Sequence, residues 1–335
     1  MRIHVFEFIG GGGLSGSLLP AQMVREGDLM LAALVADLLE LPGVRVSFAR
    51  DARLALPADP RLGRARVCWR GPLAAPWQAL ADEVAGADAT WPIAPETGGE
   101  LERIARAVLD AGRTLLGAHP AAIRLAGSKG ATAQRLQQAA IEVAPCYRLG
   151  QAWPAIDGPW IVKPDDGAGC VDTRLFPNPR AAAAALSLGP SGLIAQPWIA
   201  GDAMSLSAVA AGGQVQVLSV NRQHLAFDDG AVELAAVEVN CEPVTAALAS
   251  LTERVVRAIP GLAGYFGIDF VQAATGPIVI EVNPRLTSSY AGLRAALGLN
   301  VAERVVAAAA GRPLPPASGH VGRPVRLSFN GHGLH

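Results

Sequence analysis

The stretch YFGIDFVQAATGPIVIEVNPR, residues 265–285, decides the fold. Two runs rich in β-branched and aromatic residues flank Thr275 and Gly276, which reads as a β-hairpin. A turn centred on Thr275 sets Asp269 opposite Glu281, since each is six residues from the centre. Side chains alternate along a strand, so Glu281 and Asn283 share a face, and the cross-strand partner Asp269 joins them. Three oxygen donors on one face suit a hard cation, best magnesium with nucleotide phosphates completing its octahedron. Arg285 follows at once, where it can grip a phosphate bidentately. A structural charge pair at a sheet edge is the plainer reading, but it requires neither the amide nor the arginine.

Working outward, cation usage points the same way. Of 28 Lys and Arg residues only Lys129 and Lys163 are lysines, and a compact ammonium on a flexible stem is not interchangeable with a guanidinium fork. Lys163 ends a strand and precedes Asp165-Asp166-Gly167-Ala168-Gly169-Cys170, a small-residue loop whose amides can approach phosphate. Lys129 opens a helix after Gly127 and Ser128. No Walker loop, G-x-x-x-x-G-K-[ST], exists in the chain. Gln196-Pro197-Trp198-Ile199 ends another strand, and Asp202 follows a glycine.

The 335 residues are 51% hydrophobic and 17% charged, enough for a substantial core and a length for two or three domains. Net charge is −1, which argues against nucleic acid as a partner. No apolar run approaches the ~18 residues of a membrane helix, the opening MRIHVFEFIGGGG does not read as a signal peptide, and four scattered cysteines form no C-x-x-C pair. A cytoplasmic protein with no membrane partner is expected.

Strands at 3–9, 44–49, 66–69 and 114–118, with helices over 18–39 and 97–112, predict a parallel α/β layer up to about residue 118. Helices follow at 119–126 and 129–141. After residue 158 short strands arrive with little helix between them: PWIVKP, GLIAQPWI, AMSLSAVAA, QVQVLSVNRQ and AVELAAVEVN. A helix over 244–258, the hairpin, helices near 288–297 and 301–310 and a strand near 323–329 complete an antiparallel α+β unit. The fold class is therefore α/β plus α+β.

Gly11, Gly13 and Gly16 satisfy G-x-G-x-x-G between a strand and a helix, which makes a nicotinamide oxidoreductase an alternative. Against it, Pro20 would fall in the first turns of the helix, and Arg50 follows the second strand where a ribose-binding acid belongs. A flexible loop over a substrate pocket is the expectation for residues 10–16.

Lys129, Lys163 with its loop, Gln196–Ile199, Asp202, and Asp269, Glu281, Asn283 and Arg285 resemble, in order and spacing, the ATP-grasp superfamily. The resemblance covers about 119–310, and the layer before it looks like the Rossmann-like pre-ATP-grasp domain. It implies three units: 1–118, a small ATP-grasp lobe at 119–188 and a larger lobe at 189–335. It further implies ATP and Mg2+, for which Mn2+ can substitute. Lys129, Lys163, Gly167, Ala168 and Gly169 would meet the phosphates, with Lys163 also near the adenine. Gln196, Pro197, Trp198 and Ile199 would hold the adenine edge, and Asp202 the ribose. Asp269, Glu281 and Asn283 would hold metal, while Arg285 and Lys163 would act on the transferring phosphoryl group. Pro197 stands where the family often has an acid, and Asp202 where it commonly has Glu. Asp165 and Asp166 beside a triphosphate are unexpected, which turns them toward substrate or metal. No nucleophilic Cys is needed, so Cys170 reads as a small loop residue.

VFEFIGGGGLSG, LPAQMVREGDLM, SVNRQHL and EVNPRLTSSYAGL are similar to the tyramine–glutamate ligase family of methanofuran-type carrier biosynthesis. That resemblance implies an ADP-forming ligase joining the glutamate γ-carboxyl to tyramine, or to tyrosine, through an acyl phosphate. Glu7, Arg25, Arg222, His224, Ser288, Ser289 and Tyr290 are the candidate substrate contacts; His224 reads equally well as a packed strand histidine. The partners are then small molecules, with a homodimer admissible. An ATP-grasp ligase for another amino acid or amine stays open beside it, as does a non-catalytic ATP sensor.

Overall fold

The computed structural model describes residues 1–71, 75–315 and 322–329. Its first layer is a parallel sheet of β1 (Arg2–Glu7), β2 (Arg45–Asp51), β3 (Arg66–Arg70), β4 (Ala89–Ile93) and β5 (Thr114–Leu115), ordered β3-β2-β1-β4-β5. Helices α1 (Ala21–Leu39), α2 (Pro76–Ala85) and α3 (Glu100–Asp110) pack around it. The strand order reverses between β1 and β4, and such a switch point opens a crevice at the carboxyl ends of the strands. Those ends carry Glu7 and Ile93, paired directly across the two strands.

Four elements of this layer differ from the sequence expectation, which has no helix at α2. α1 starts at Ala21, not at residue 18, because Pro20 holds the position before the helix with extended backbone. β1 stops at Glu7, and Ile9–Gly13 form one helical turn. β4 is absent from the sequence expectation because it contains Pro92, which cannot donate to a ladder. The proline fits since β5 pairs only with Ala89 and Thr90, leaving that edge of β4 unpaired at Pro92.

The second layer is an antiparallel sheet built from β6 (Trp160–Pro164), β7 (Arg174–Phe176), β8 (Leu193–Pro197), β9 (Asp202–Ala211), β10 (Gln214–Asp228), β11 (Ala231–Glu242), β12 (Gly264–Ala273) and β13 (Gly276–Asn283), with β14 (Val325–Ser328) against β11. The order is β13-β12-β9-β10-β11-β7-β6-β8. Before it come α4 (Pro120–Ala126) and α5 (Lys129–Gln138); α6 (Pro179–Leu188), α7 (Ala246–Ala258), α8 (Tyr290–Leu297) and α9 (Val301–Ala309) follow. β7 and α6 likewise go beyond the sequence expectation. Asn178 caps α6, its Oδ1 accepting the Ala181 N–H at 2.9 Å, and alanine supplies the helix propensity.

The β12–β13 register reaches the expected pair by another route. The turn is two residues tight, with Ala273 opposite Gly276, and a bulge leaves Ile280 unpaired between Val279 and Glu281. The extra residue restores Asp269 opposite Glu281.

One apolar cluster runs from Phe6 of β1 to Leu206 of β9 and Phe266 of β12, so the two layers share a core. A second joins Leu34 and Val35 of α1 to Leu293 of α8 and Val301 of α9. Side chains buried this fully contribute roughly 1.5–3 kcal/mol each, which holds the β1/β4 crevice over the antiparallel sheet.

Candidate active site

Where the crevice meets β12 and β13 lies a cavity of about 950 Å3. Its floor holds the acid pair. Asp269 accepts from Asn283 Nδ2 at 3.2 Å and from Gln223 Nε2 at 3.1 Å. Glu281 accepts from Lys129 Nζ at 3.1 Å. Burial and the Glu281 charge push the Asp269 carboxyl well above its ordinary range, whereas Lys129 and Lys163 hold Glu281 below its own despite burial. Two facing carboxylates that cannot both ionise alone, with an amide oxygen beside them, fit an oxygen-loving divalent cation.

The lysines converge from opposite sides. Lys129 opens α5, whose first turn is capped by Ser128, and its Nζ also donates to Gly167 O at 2.5 Å. Lys163 stands near the end of β6, buried on the cavity wall. Desolvation lowers its pKa and the neighbouring Lys129 charge adds to this, against the pull of Glu281. Gly167, Ala168 and Gly169 line the cavity beside them. An anion arriving here would relieve the repulsion between the two ammonium groups.

Asp165 and Asp166 are turned to protein rather than to substrate or metal. Asp165 accepts from Ser128 Oγ at 2.7 Å, Gly130 N at 2.8 Å and Arg148 Nη2 at 2.8 Å, which anchors the start of α5. Helix N-terminal amides favour a carboxylate in that position. Asp166 accepts from Gly98 N at 3.0 Å, and its carbonyl accepts from Thr97 Oγ1 at 2.9 Å. The small-residue loop is thereby tied to the parallel layer.

Arg285 lines the cavity and donates through Nε to Glu96 Oε2 at 3.0 Å, with Leu286 O at 3.0 Å on Nη1. Glu96 lies just beyond β4. Sequence reasoning misses it because it misses the strand that delivers it; TWPIAPETGG, a short apolar run before a glycine-rich turn, is the signal for both.

Gln196, Pro197, Trp198 and Ile199 all line the cavity. The Trp198 N–H is committed to Pro159 O at 2.9 Å, which removes that amide from the expected adenine contact. The Gln196 side chain turns to Ala144 O and Cys146, and the Trp198 ring meets Phe227 edge-on at 5.7 Å. Asp202 is exposed on the cavity rim, 3.1 Å from Arg222 Nη1, and Arg222 also holds Glu242. His224 lines the cavity while its Nε2 accepts from Arg326 at 3.2 Å. Burial pushes the Cys170 thiol up to about 12, so it stays protonated.

Among the expected substrate contacts, Glu7, Ser288 and Ser289 line the crevice. Arg25 does not: it is exposed, and the next residue, Glu26, takes the inward position. Tyr290 is core, its hydroxyl donating to Asp37 Oδ2 at 2.9 Å. The glycine turn does not cover the pocket, since none of residues 10–16 lines the cavity. Gly10, Gly11 and Gly12 are buried against Arg50, Phe6 and Arg70, so their backbone faces protein side chains rather than an open phosphate site. Arg50 itself pairs with Asp28.

Residues 126–289 match the model of an ATP-grasp domain, and 44–123 that of a pre ATP-grasp 3 domain. A tyramine–L-glutamate ligase of Methanocaldococcus jannaschii is 31% identical over 99 residues, 30% of this chain and 31% of that protein, so the match spans about a third of the relative's length. The fold is similar to that of an ATP-grasp superfamily protein from Archaeoglobus fulgidus (TM-score 0.71, 21% identity, covering 98% of this chain and 92% of that one). It is also similar to an L-amino acid ligase from Bacillus licheniformis (0.66, 16%, 97% and 78%). The N5-carboxyaminoimidazole synthetase of Staphylococcus aureus, solved with ADP, is a third (0.70, 16%, 98% and 81%).

Proposed function

We propose that this chain, a member of the ATP-grasp superfamily with a pre-ATP-grasp domain ahead of it, is an ADP-forming carboxylate–amine ligase. It joins the glutamate γ-carboxyl to tyramine or a related aromatic amine. The observation that carries the reading is the convergence of Lys129, Lys163, Asp269, Glu281, Asn283 and Arg285 on one cavity that continues to the β1/β4 switch point. The division into 1–118, 119–188 and 189–335, a cytoplasmic setting and a homodimer belong to the same proposal.

The chemistry follows from the groups present. A carboxylate is a poor electrophile, and moving the γ-phosphoryl of ATP onto it creates an acyl phosphate that an amine can attack. Such transfers depend on position and charge rather than covalent catalysis. Lys129 and Lys163 would hold the phosphates, and Arg285, steadied by Glu96, would face the moving phosphoryl group. Asp269, Glu281 and Asn283 would hold Mg2+, which supplies positive charge against the triphosphate. The loop 165–170, tied down by Thr97 and Gly98, would keep water from the acyl phosphate. The glutamate and tyramine assignment is supported by the partial match to the tyramine–L-glutamate ligase.

The test is ADP release with Mg2+ and ATP, glutamate held constant and the amine varied, followed by product mass. A condensed product made only with glutamate and an aromatic amine supports the assignment. ATP binding without turnover on any pair favours a sensor, and no ATP binding refutes the reading.

A further inference from the structure

α1 turns one face into the crevice, with Gln22, Met23, Glu26 and Met30 on the wall and Ser288 opposite. Met23, Met30, Ile93 and Pro95 make this end of the cavity apolar. Like Asp269, whose hydrogen bonds come from the Asn283 and Gln223 amides, Glu26 has neutral partners, and it differs in this from Glu281 and Asp202 and in their length from Glu7. Glu281 has Lys129 and Asp202 has Arg222; Glu7 accepts from the Ile9 and Gly10 amides at 3.0 and 2.5 Å. The hydrogen-bond partners of Glu26 are neutral and distant, Gln22 Nε2 at 3.4 Å and Ser288 Oγ at 3.3 Å. Arg285 and Arg25 act on it through space, more weakly than the burial that raises its pKa. A carboxylate in an apolar wall with only neutral donors favours an incoming cation.

We propose that Glu26, positioned by Ser288, binds the ammonium group of the amine substrate and takes the proton that must leave before the nitrogen can attack. The assignment rests on the ligase reading above. Proton transfer to Glu26 frees the nitrogen lone pair, which forms the C–N bond with the acyl carbon. The C–O bond to phosphate breaks, its electron pair leaves with the phosphate, and the phosphate accepts the second nitrogen proton. Glu26 and Arg285 line the same cavity, and Ser288, which holds Glu26, follows Arg285 by three residues, so an amine resting there would lie on the side of the expected acyl phosphate. The body of the amine would lie on Met23, Met30 and Ile93. Glu7 packs against Gly27 at the same end, where an added Cβ would sit 2.7 Å from its carboxyl.

The experiment compares wild type, Glu26→Gln and Glu26→Asp with Mg2+, ATP and glutamate, using tyramine and hydroxylamine as acceptors. Hydroxylamine is largely uncharged at neutral pH and reports acyl phosphate without needing a base. The ratio of tyramine amide to hydroxamate is expected to fall about 100-fold in Glu26→Gln, with part restored in Glu26→Asp. An unchanged ratio, including equal loss of both products, overturns the assignment. If Glu26→Gln does not fold, Ser288→Ala carries the test, with a smaller fall in the ratio expected and no fall overturning it. Wild type that makes neither product overturns the ligase reading and this assignment with it, whereas wild type that makes hydroxamate keeps the two separable.

Discussion

Replacing Glu281 with Gln removes one negative charge from the most crowded part of the cavity and almost no volume. Its Oε2 lies 3.1 Å from Lys129 Nζ, and the two side chains are 18% and 7% exposed. Coulomb's law at an effective dielectric constant of about 20 assigns the pair about 5 kcal/mol. Two features reduce the net loss. Lys129 keeps Gly167 O as an acceptor. Asp269, held up partly by the Glu281 charge, ionises more readily once that neighbour is neutral. The expected cost is about 2 kcal/mol, below the 3–5 of an orphaned buried charge, or several degrees in Tm. Turnover should fall about 10³-fold, because the charge that helps hold the metal against the phosphoryl group is gone. The assay pairs ADP release with melting in nucleotide alone and in nucleotide plus Mg2+. Wild type should gain from the metal and the variant should not. A variant within about threefold of wild-type turnover, or one whose melting still responds fully to Mg2+, refutes the metal site.

Other consequences concern the surroundings. Burial raises the carboxyls of Glu7 to about 7 and Asp37 to about 6. The folded state then keeps protons that the unfolded chain has released, so this stability is complete below the unfolded values and is lost as pH rises through 6 and 7. Glu7→Gln should flatten the urea-melt stability profile between about pH 5 and 8; an unaltered slope would count against a protonated Glu7. Asp165→Asn should cost about 2 kcal/mol through weakened bonds to Ser128 and Arg148 and raise the nucleotide KM as α5 shifts. An altered Mg2+ requirement at full stability would return Asp165 to the metal. Glu96→Gln should lower kcat about tenfold with little change in nucleotide KM, since Arg285 loses its anchor; the reverse pattern would place Arg285 in ground-state binding.

Much of the end of the cavity that holds the acid pair and the two lysines is legible in the sequence because its residues are carried by short, local patterns. The Asp269–Glu281 pair follows from the period of a strand and one turn. Centring that turn on Thr275 makes it too long, and the Ile280 bulge compensates. Lys129 and Lys163 stand out by rarity alone. The crevice end is less legible. Pro92 disguises β4, and with it Glu96. On α1 the choice between Arg25 and Glu26 is one of helix phase, and α1 packs against β1 on one side and α8 on the other, so its apolar pattern does not single out one face. Ser288, Ser289 and Tyr290 are adjacent in sequence, yet only the first two reach the cavity, because α8 begins at Tyr290 and turns its ring onto Asp37.

Strand alternation, turn chemistry and helix caps act over a few residues, so the chain alone specifies the hairpin, its three oxygen donors, the capped lysine of α5 and the two layer types. Which polar groups satisfy one another depends on approaches across more than a hundred residues. Arg285 on Glu96, Tyr290 on Asp37 and Ser288 on Glu26 are of that kind. Those pairings arise only when the shared core docks the parallel layer over the antiparallel sheet, because burial removes water as the competing partner and leaves each charge to the nearest group the packing supplies.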